Sequence, residues 1–495
     1  MPRSRTRGLV SRRTLVVLVL LLAAVGALLV LGRRRPPNII LISIDSLRPD
    51  HLGCYGYGRE TSPTIDRLAR EGALFETAVS TTSWTLPAHA ALFTALADSV
   101  HFCNDDQKWL DGSRFTLAES LKAAGYATAG FYSGPYLHPS FGFAQGFDFY
   151  KDCTSYSARS IDLIKEEKFV GGEHNLLNQD LMRAAHEART NPIVLDAVKE
   201  WLGTSPRRPF FLFIHLWDVH YDYVAPPEYV RRFAPDYQGP VDGRNVLKAM
   251  RKPANWSDAD VKHLEALYDA EIRYTDDTLG EILAEIDRRG LKETSIIAVT
   301  ADHGEAFYEH GHHGHRWTLY DEEIRIPLVI RCPAGVSAGR RIQRPASIVD
   351  IAPTLLDLAG LPPLPHPMGR SLAPLFAPLL GSAAVPWSDV TAVCELTVPA
   401  NKIDSLALRE RARKIIYDET QKKILVYDLA ADPGEQNPLG PDGAGLSLAE
   451  IDGMRVETRK LLLEKRLELP EIGERDTPPI PDMTEEQLRA HGYLR

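Results

Sequence analysis

Cysteine is scarce in this chain, and positive charge is in deficit. Five cysteines in 495 residues, an odd number spread widely, build no disulfide framework and no CxxC metal knot. At most two disulfides fit that number, so at least one thiol stays free. The formal net charge of -9 excludes a general nucleic-acid binder. No internal repeat is present. Hydrophobic residues make up 44% and charged residues 25%, the balance of an ordinary globular protein. The length allows a large core and a smaller second unit.

Long apolar runs are also missing, with one exception. Residues 14–31 are apolar and uncharged, just long enough to span a bilayer as a helix. Arg3, Arg5, Arg7, Arg12 and Arg13 precede the run, and Arg33, Arg34 and Arg35 follow it. The excess on the N-terminal side puts that end in the cytoplasm and the rest of the chain outside. A cleaved signal peptide is the alternative. The run ends LLVLGR, without a small-x-small cleavage site, which favours an uncleaved anchor.

After a short linker, residues 38–45 form a β-branched run closed by an acid, the pattern of a buried parallel strand. Similar runs occupy 126–132, 210–216 and 295–300. The run at 210–216 is followed by Asp218 and His220, that at 295–300 by Asp302 and His303. Helical patterns fill 64–71, 117–124, 193–202 and 258–289. Strands alternating with helices predict an α/β fold with a mostly parallel sheet. Ligands of such sheets bind beyond the carboxyl ends of the strands, where the acids and histidines gather. Residues 347–361 read as an amphipathic helix closed by Gly360. Short strand-like pieces at 390–396, 405–409, 414–417 and 423–429 predict a small antiparallel sheet, followed by a helix over 446–469 and a Pro- and charge-rich tail. The expected division is a basic tail and anchor over 1–36, a catalytic α/β domain over 37–380, and a C-terminal α+β subdomain over 381–495.

These landmarks resemble the sulfatase family of the alkaline-phosphatase superfamily, in order, from about residue 37 to 438. NIILISIDSLRPDHLGCYGY (38–57) is similar to the family's first strand and metal loop, and TSPTIDRLAREGALF (61–75) to the helix that follows. SWTLPAHAALFTAL (83–96) stands where the family has its nucleophile loop and helix. ADHGEAFYEHG (301–311), with His315 and the stretch 320–328, resembles the second metal loop. SIVDIAPTLLDLAGL (347–361) and YDLAADPGEQNP (427–438) match later landmarks. The resemblance implies a sulfatase-like fold and hydrolysis of sulfuric or phosphoric esters.

The resemblance also implies metal ligands at Asp45, Asp302 and His303, with Thr85 beside them. Transfer of a sulfuryl or phosphoryl group needs an activated nucleophile and neutralised oxygens, which a divalent cation supplies. The Asp-His pair favours Zn2+ or Mn2+, with Ca2+ and Mg2+ as the other candidates, because imidazole suits hard cations poorly. In sulfatases the position of Thr85 is a cysteine or serine oxidised to formylglycine, in a Cys-x-Pro-Ser-Arg motif. Here the motif reads Thr85-Leu86-Pro87-Ala88-His89. Threonine cannot become an aldehyde, because its carbinol carbon already carries a methyl group. It can attack directly if a metal and a helix N-terminus stabilise the alkoxide. Nucleotide pyrophosphatases, phosphoethanolamine transferases and lipoteichoic acid synthases, in the same superfamily, use threonine this way. A simple N-cap of a helix over 86–96 is the other reading of Thr85. Ser83 is a rival nucleophile if the alignment slips.

Other positions depart from the family. Ser46 replaces a second metal-binding acid, His89 replaces an arginine, and no Gly-Lys-x-His segment stands near 130–134. His220 matches the histidine that contacts the transferred group or leaving oxygen, a proton donor by role. His315 lies near the family's sulfate-binding lysine, with Arg316 adjacent. His313 or His315 with Asp218 and His220 would make a second metal site, and a solvated loop is the alternative. Two further functions stay open beside hydrolysis: a catalytically silent binding protein, and a membrane-tethered transferase of phospho-head-groups. Loops at 151–191 and 225–255 are where specificity is expected. Neither the substrate nor the oligomeric state is written in the composition.

Overall fold

The structure, a computed structural model, describes residues 36–105, 108–154, 189–244, 246–249, 252–253, 255–333, 338–377, 392–440, 443 and 445–472. The apolar run at 14–31, most of the loop 151–191 and the tail beyond 472 lie outside these residues. Among the described residues no helix is long and apolar enough to cross a membrane. Residues from Pro37 onward belong to one compact unit. The expected boundary at 380–381 also falls outside the described residues.

The main sheet has eight strands: β1 (Asn38–Ile44), β2 (Ala73–Phe75), β3 (Ala127–Tyr132), β4 (Phe149–Asp152), β5 (Phe210–Leu216), β6 (Ser295–Ala301), β7 (Leu328–Arg331) and β8 (Arg340–Ile342). Their spatial order is β8-β2-β7-β6-β1-β5-β3-β4. β1 pairs in parallel with β5 on one side and β6 on the other. β7 alone breaks the parallel pattern, running antiparallel to β2 and β6. Every residue of β1, β5 and β6 is buried, which is why these strands read as continuous apolar runs rather than alternating ones. Each fully buried Ile, Leu or Phe contributes about 1.5–3 kcal/mol, so these three strands anchor the fold.

The helices that position the site are α1 (Pro63–Glu71), α2 (Thr85–Thr94), α3 (Leu117–Ala123), α4 (Asn191–Gly203), α5 (Asp258–Arg288) and α6 (Ile351–Leu358). α2 is buried along its whole length, as its apolar sequence on every side requires. α5 starts at a capping box in which Ser257 and Asp260 satisfy each other's backbone N–H groups. α6 is shorter than the amphipathic pattern over 347–361. A 3-10 turn at Ile348–Asp350 precedes it, and Asp350 accepts the N–H groups of Ser347 and Arg370 there.

The C-terminal sheet is a four-stranded antiparallel meander of β9 (Ala392–Val398), β10 (Ile403–Arg409), β11 (Arg413–Asp418) and β12 (Lys423–Asp428), followed by α7 (Leu448–Leu467). Ile451 of α7 packs on Leu406, Leu408, Ile415 and Val426. The sheet is tied to the main body by charge. The buried Lys414 ammonium lies 2.9 Å from Asp321 and 2.8 Å from Glu435, and Arg409 lies 3.0 Å from Asp321. All five cysteines are free thiols.

Candidate active site

Three adjacent strands deliver the polar groups. β1 leads directly into Asp45, β6 leads into Asp302 and His303, and β5 carries His215 and ends four residues before His220. Ser46 takes a left-handed conformation (φ 54°), which turns the chain away from β1 and aims its N–H at Asp302 Oδ1, 3.1 Å away. The His303 N–H, 2.9 Å away, donates to the same oxygen. The Ser46 hydroxyl donates to Asp45 Oδ1 at 2.8 Å. Ser46, at the position where the resemblance placed a second acid, therefore orients the remaining one.

Thr85 is the first residue of α2, and Trp84 is its N-cap, with no side-chain capping bond. The N-cap reading of Thr85 is corrected on this point, since its hydroxyl faces the acids and not the helix backbone. Thr85 Oγ1 lies 3.2 Å from His303 Nε2 and 3.5 Å from Asp45 Oδ2. His303 Nε2 lies 3.4 Å from Asp302 Oδ2 and 3.8 Å from Asp45 Oδ1, and its Nδ1 donates to the Gly304 carbonyl at 2.8 Å. That bond leaves Nε2 as the nitrogen facing the carboxylates. The Ser83 hydroxyl has no hydrogen-bond partner, while its carbonyl accepts from the Arg316 N–H at 2.9 Å.

The acids are fully buried. Burial pushes the Asp45 carboxyl up to about 6, against the lowering pull of His303 and the hydrogen bonds of Ser46 and Thr85. Among the described residues Asp302 Oδ2 has no hydrogen-bond partner. The donor atoms of Asp45, Asp302 and His303 lie within 4.8 Å of one another. Two carboxylates, one of them with an orphaned buried oxygen, and an imidazole nitrogen form a set that a divalent cation satisfies.

His220 and His315 come to the same place. The His303 and His315 rings are 4.3 Å apart, and those of His315 and His220 are 5.0 Å apart. His220 stacks on Trp217 at 3.8 Å, and its Nδ1 meets the Tyr221 carbonyl at 2.6 Å. His315 Nδ1 lies 3.0 Å from Glu305 Oε1. Burial and the neighbouring His303 and His220 hold His315 well below the usual histidine range. The Arg316 guanidinium stacks over Trp84 at 3.9 Å.

The second metal site expected from Asp218 with His220 and His313 or His315 is not assembled. Asp218 instead caps the start of α4, accepting from the N–H and hydroxyl of Thr190 and the N–H of Asn191. His313 Nε2 lies 3.2 Å from the Tyr223 hydroxyl. His310 and His312 pair with Glu322 and Glu323 at 2.6 and 2.8 Å, so this part of the His-rich loop is braced rather than solvated.

One site residue escapes a reading of the sequence. His215 sits inside the apolar strand FFLFIHL and passes for core. Its Nε2 lies 3.3 Å from Asp45 Oδ2, and its ring centroid is 5.1 Å from that of His89. The signal was present in strand register. Ser43 pairs with His215 across β1 and β5, and Asp45 follows Ser43 on the same face.

A sheet with acids and an Asp-His pair at its strand ends, and a hydroxyl at a helix start beside them, is the arrangement expected of an ester hydrolase of the sulfatase type. The chain belongs to the sulfatase family: the family model described as Sulfatase matches residues 37–361. A second model, described as N-sulphoglucosamine sulphohydrolase, C-terminal, matches residues 308–445. Among curated proteins, the chain is 26% identical to iduronate 2-sulfatase of Mus musculus over 389 residues, covering 66% of this chain and 70% of that protein. It is 25% identical to choline-sulfatase of Rhizobium meliloti over 447 residues, covering 82% and 83%. Among solved structures, the phosphonate monoester hydrolase of Agrobacterium radiobacter aligns with a TM-score of 0.66 at 24% identity, covering 87% of this chain and 96% of that one. The protein is thus an ester-bond hydrolase of a family that generally uses a divalent metal ion.

Proposed function

We propose that the chain hydrolyses phosphoric esters through Thr85 as a direct nucleophile, with Asp45, Asp302, His303 and the Thr85 oxygen holding one divalent cation. The observation that carries this reading is the position of Thr85 Oγ1, first in a helix and within 3.5 Å of both Asp45 and His303. Zn2+ or Mn2+ suits the mixed oxygen and imidazole donors. When bound, the cation favours the alkoxide of Thr85 and neutralises charge on the transferred group.

The protein's own groups then divide the work. Thr85 Oγ1 attacks the ester phosphorus and forms a phosphothreonine as the bond to the leaving oxygen breaks. The partial positive charge at the start of α2 stabilises the attacking oxygen. His220 gives its proton to the leaving oxygen, and His315, braced on Glu305, orients the group by hydrogen bonding. Water hydrolyses the phosphothreonine in the second half, returning the proton to His220. A phosphoester is favoured over a sulfate ester because threonine cannot supply the aldehyde hydrate of formylglycine enzymes. The retained ligand set and hydroxyl speak against a silent binding scaffold. The apolar run at 14–31, with its arginine flanks, supports action outside the cytoplasm from a membrane tether. Protease protection of the full chain in sealed membranes tests that placement, and digestion from the cytoplasmic side would refute it.

The test of function compares metal-loaded enzyme on aryl phosphate, aryl phosphodiester and aryl sulfate, with Thr85→Ala alongside. Preference for a phosphoester that the variant loses supports the threonine route. Sulfate cleavage dependent on Thr85 would overturn the substrate class. Turnover only with an added acceptor alcohol would make the protein a transferase.

A further inference from the structure

Beneath the groups assigned to catalysis lies a second cluster. β1 and β5 place Ser43 beside His215, and α2 covers that face of the sheet with His89, one turn beyond Thr85. The donor atoms of His89, His215 and Asp302 lie within 4.8 Å of one another, and all three residues are fully buried. His89 Nδ1 is 3.7 Å from Asp302 Oδ2.

Two features of this cluster are unexplained by protein contacts. Among the described residues neither ring nitrogen of His215 has a hydrogen-bond partner, although Nε2 passes 3.3 Å from Asp45 Oδ2, and Asp302 Oδ2 has none either. Buried polar atoms without partners are uncommon and costly, and a cation joining an imidazole to a carboxylate removes the cost at both ends. Asp302 Oδ2 faces both His303 and His89, at 3.4 and 3.7 Å. One oxygen is thus shared by the two clusters, the arrangement of a bridged pair of ions.

We propose that His89, His215 and Asp302 hold a second divalent cation of the zinc class, bridged through Asp302 to the first. This rests on the reading that Asp302 is a ligand of the first ion. Two imidazoles and one carboxylate form a donor set suited to Zn2+ and poor for Ca2+. Ligation through His89 Nδ1 replaces its 3.0 Å hydrogen bond to the Thr85 carbonyl. The ring proton then resides on Nε2, which donates to Ser43 Oγ, 3.0 Å away. The ion thereby fastens α2, which carries Thr85 one turn before His89, to β5 and to the end of β6. It also adds positive charge below the transferred group.

The experiment is a metal count on the full chain. Metal-free protein is saturated with Zn2+, freed of excess by gel filtration and analysed by elemental mass spectrometry. About two ions per chain are expected, falling to about one in His215→Leu and likewise to about one in Asp45→Asn. One ion in the wild type, or two retained in His215→Leu, overturns the second site. An Asp45→Asn chain that keeps the wild-type count instead overturns the first site, so the two failures are distinct. Should His215→Leu not fold, Co2+ titration of the wild type decides. Two saturable steps in the visible d–d absorption support the pair, and one step refutes it.

Discussion

Asp302 anchors two backbone N–H groups and, in the proposed function, also holds an ion, and two substitutions pull these jobs apart. Its Oδ1 accepts the buried N–H groups of Ser46 and His303, while Oδ2 faces the proposed ion. Asp302→Ala strips the acceptor from both donors. Each orphaned N–H costs about 1–3 kcal/mol, so the metal-free variant is expected to lose about 2–6 kcal/mol. Asp302→Asn keeps an oxygen for the two N–H groups and exchanges only the ligand atom. In metal-free form it is expected to stay within about 1 kcal/mol of wild type. Cation at a hundredfold its Kd stabilises wild type by about 2.7 kcal/mol. A hundredfold loss of affinity in the Asn variant leaves about 0.4 kcal/mol of that gain. Urea unfolding of each variant with chelator and with Zn2+ reads both quantities. An Asn variant stabilised by metal as much as wild type would show that Asp302 holds no ion. An Ala variant as stable as wild type without metal would refute the backbone-anchoring role.

Other outcomes follow from the same geometry. Thr85→Ala should lower kcat on the preferred ester by about 10^4-fold or more, equivalent to ~5 kcal/mol of barrier, while steady-state kinetics on a folded variant with a loss under tenfold would remove Thr85 from the chemistry. The raised Asp45 carboxyl, at about 6, makes the proton a competitor for the cation. Apparent metal affinity measured by calorimetry should therefore fall about tenfold per pH unit below 6 and level off above, as far as Asp45 is concerned. Without metal the sign reverses: the folded form holds its proton more tightly than the unfolded chain. Asp45 then contributes stability at low pH that is lost as pH rises from about 4 to 6, and urea unfolding of the metal-free protein across that window checks it. Lys414→Met leaves Asp321 and Glu435 buried without their shared cation and should cost about 3–5 kcal/mol in urea unfolding. A loss below 1 kcal/mol would mean the C-terminal sheet is not held by that charge.

The strands that carry the site were legible because each is buried on both faces and closes on an acid. β1, β5 and β6 appear within a residue or two of their predicted bounds. The short strands β2 and β8, of three residues each, were not, since three residues carry no period. Asp45, Asp302 and His303 stood out as polar residues after apolar runs, and the structure brings them together. Asp218 looked the same in sequence, yet its carboxylate is consumed by the start of α4, a segment that sequence spacing does not place beside it. His215 failed for the opposite reason, because a single histidine inside FFLFIHL resembles core until the strand register sets it beside Ser43. The Thr85 position was legible only through the motif it departs from, and its contacts depend on how α2 packs over the sheet.

The central claim is the covalent role of Thr85. The most direct measurement quenches metal-loaded enzyme during turnover of an activated aryl phosphate and locates the phosphoryl adduct by tandem mass spectrometry. A phosphothreonine at Thr85, appearing with substrate and disappearing as substrate is exhausted, is the expected result. Full turnover with the adduct on another residue, or with no adduct on a chain whose Thr85→Ala variant is equally active, would contradict it.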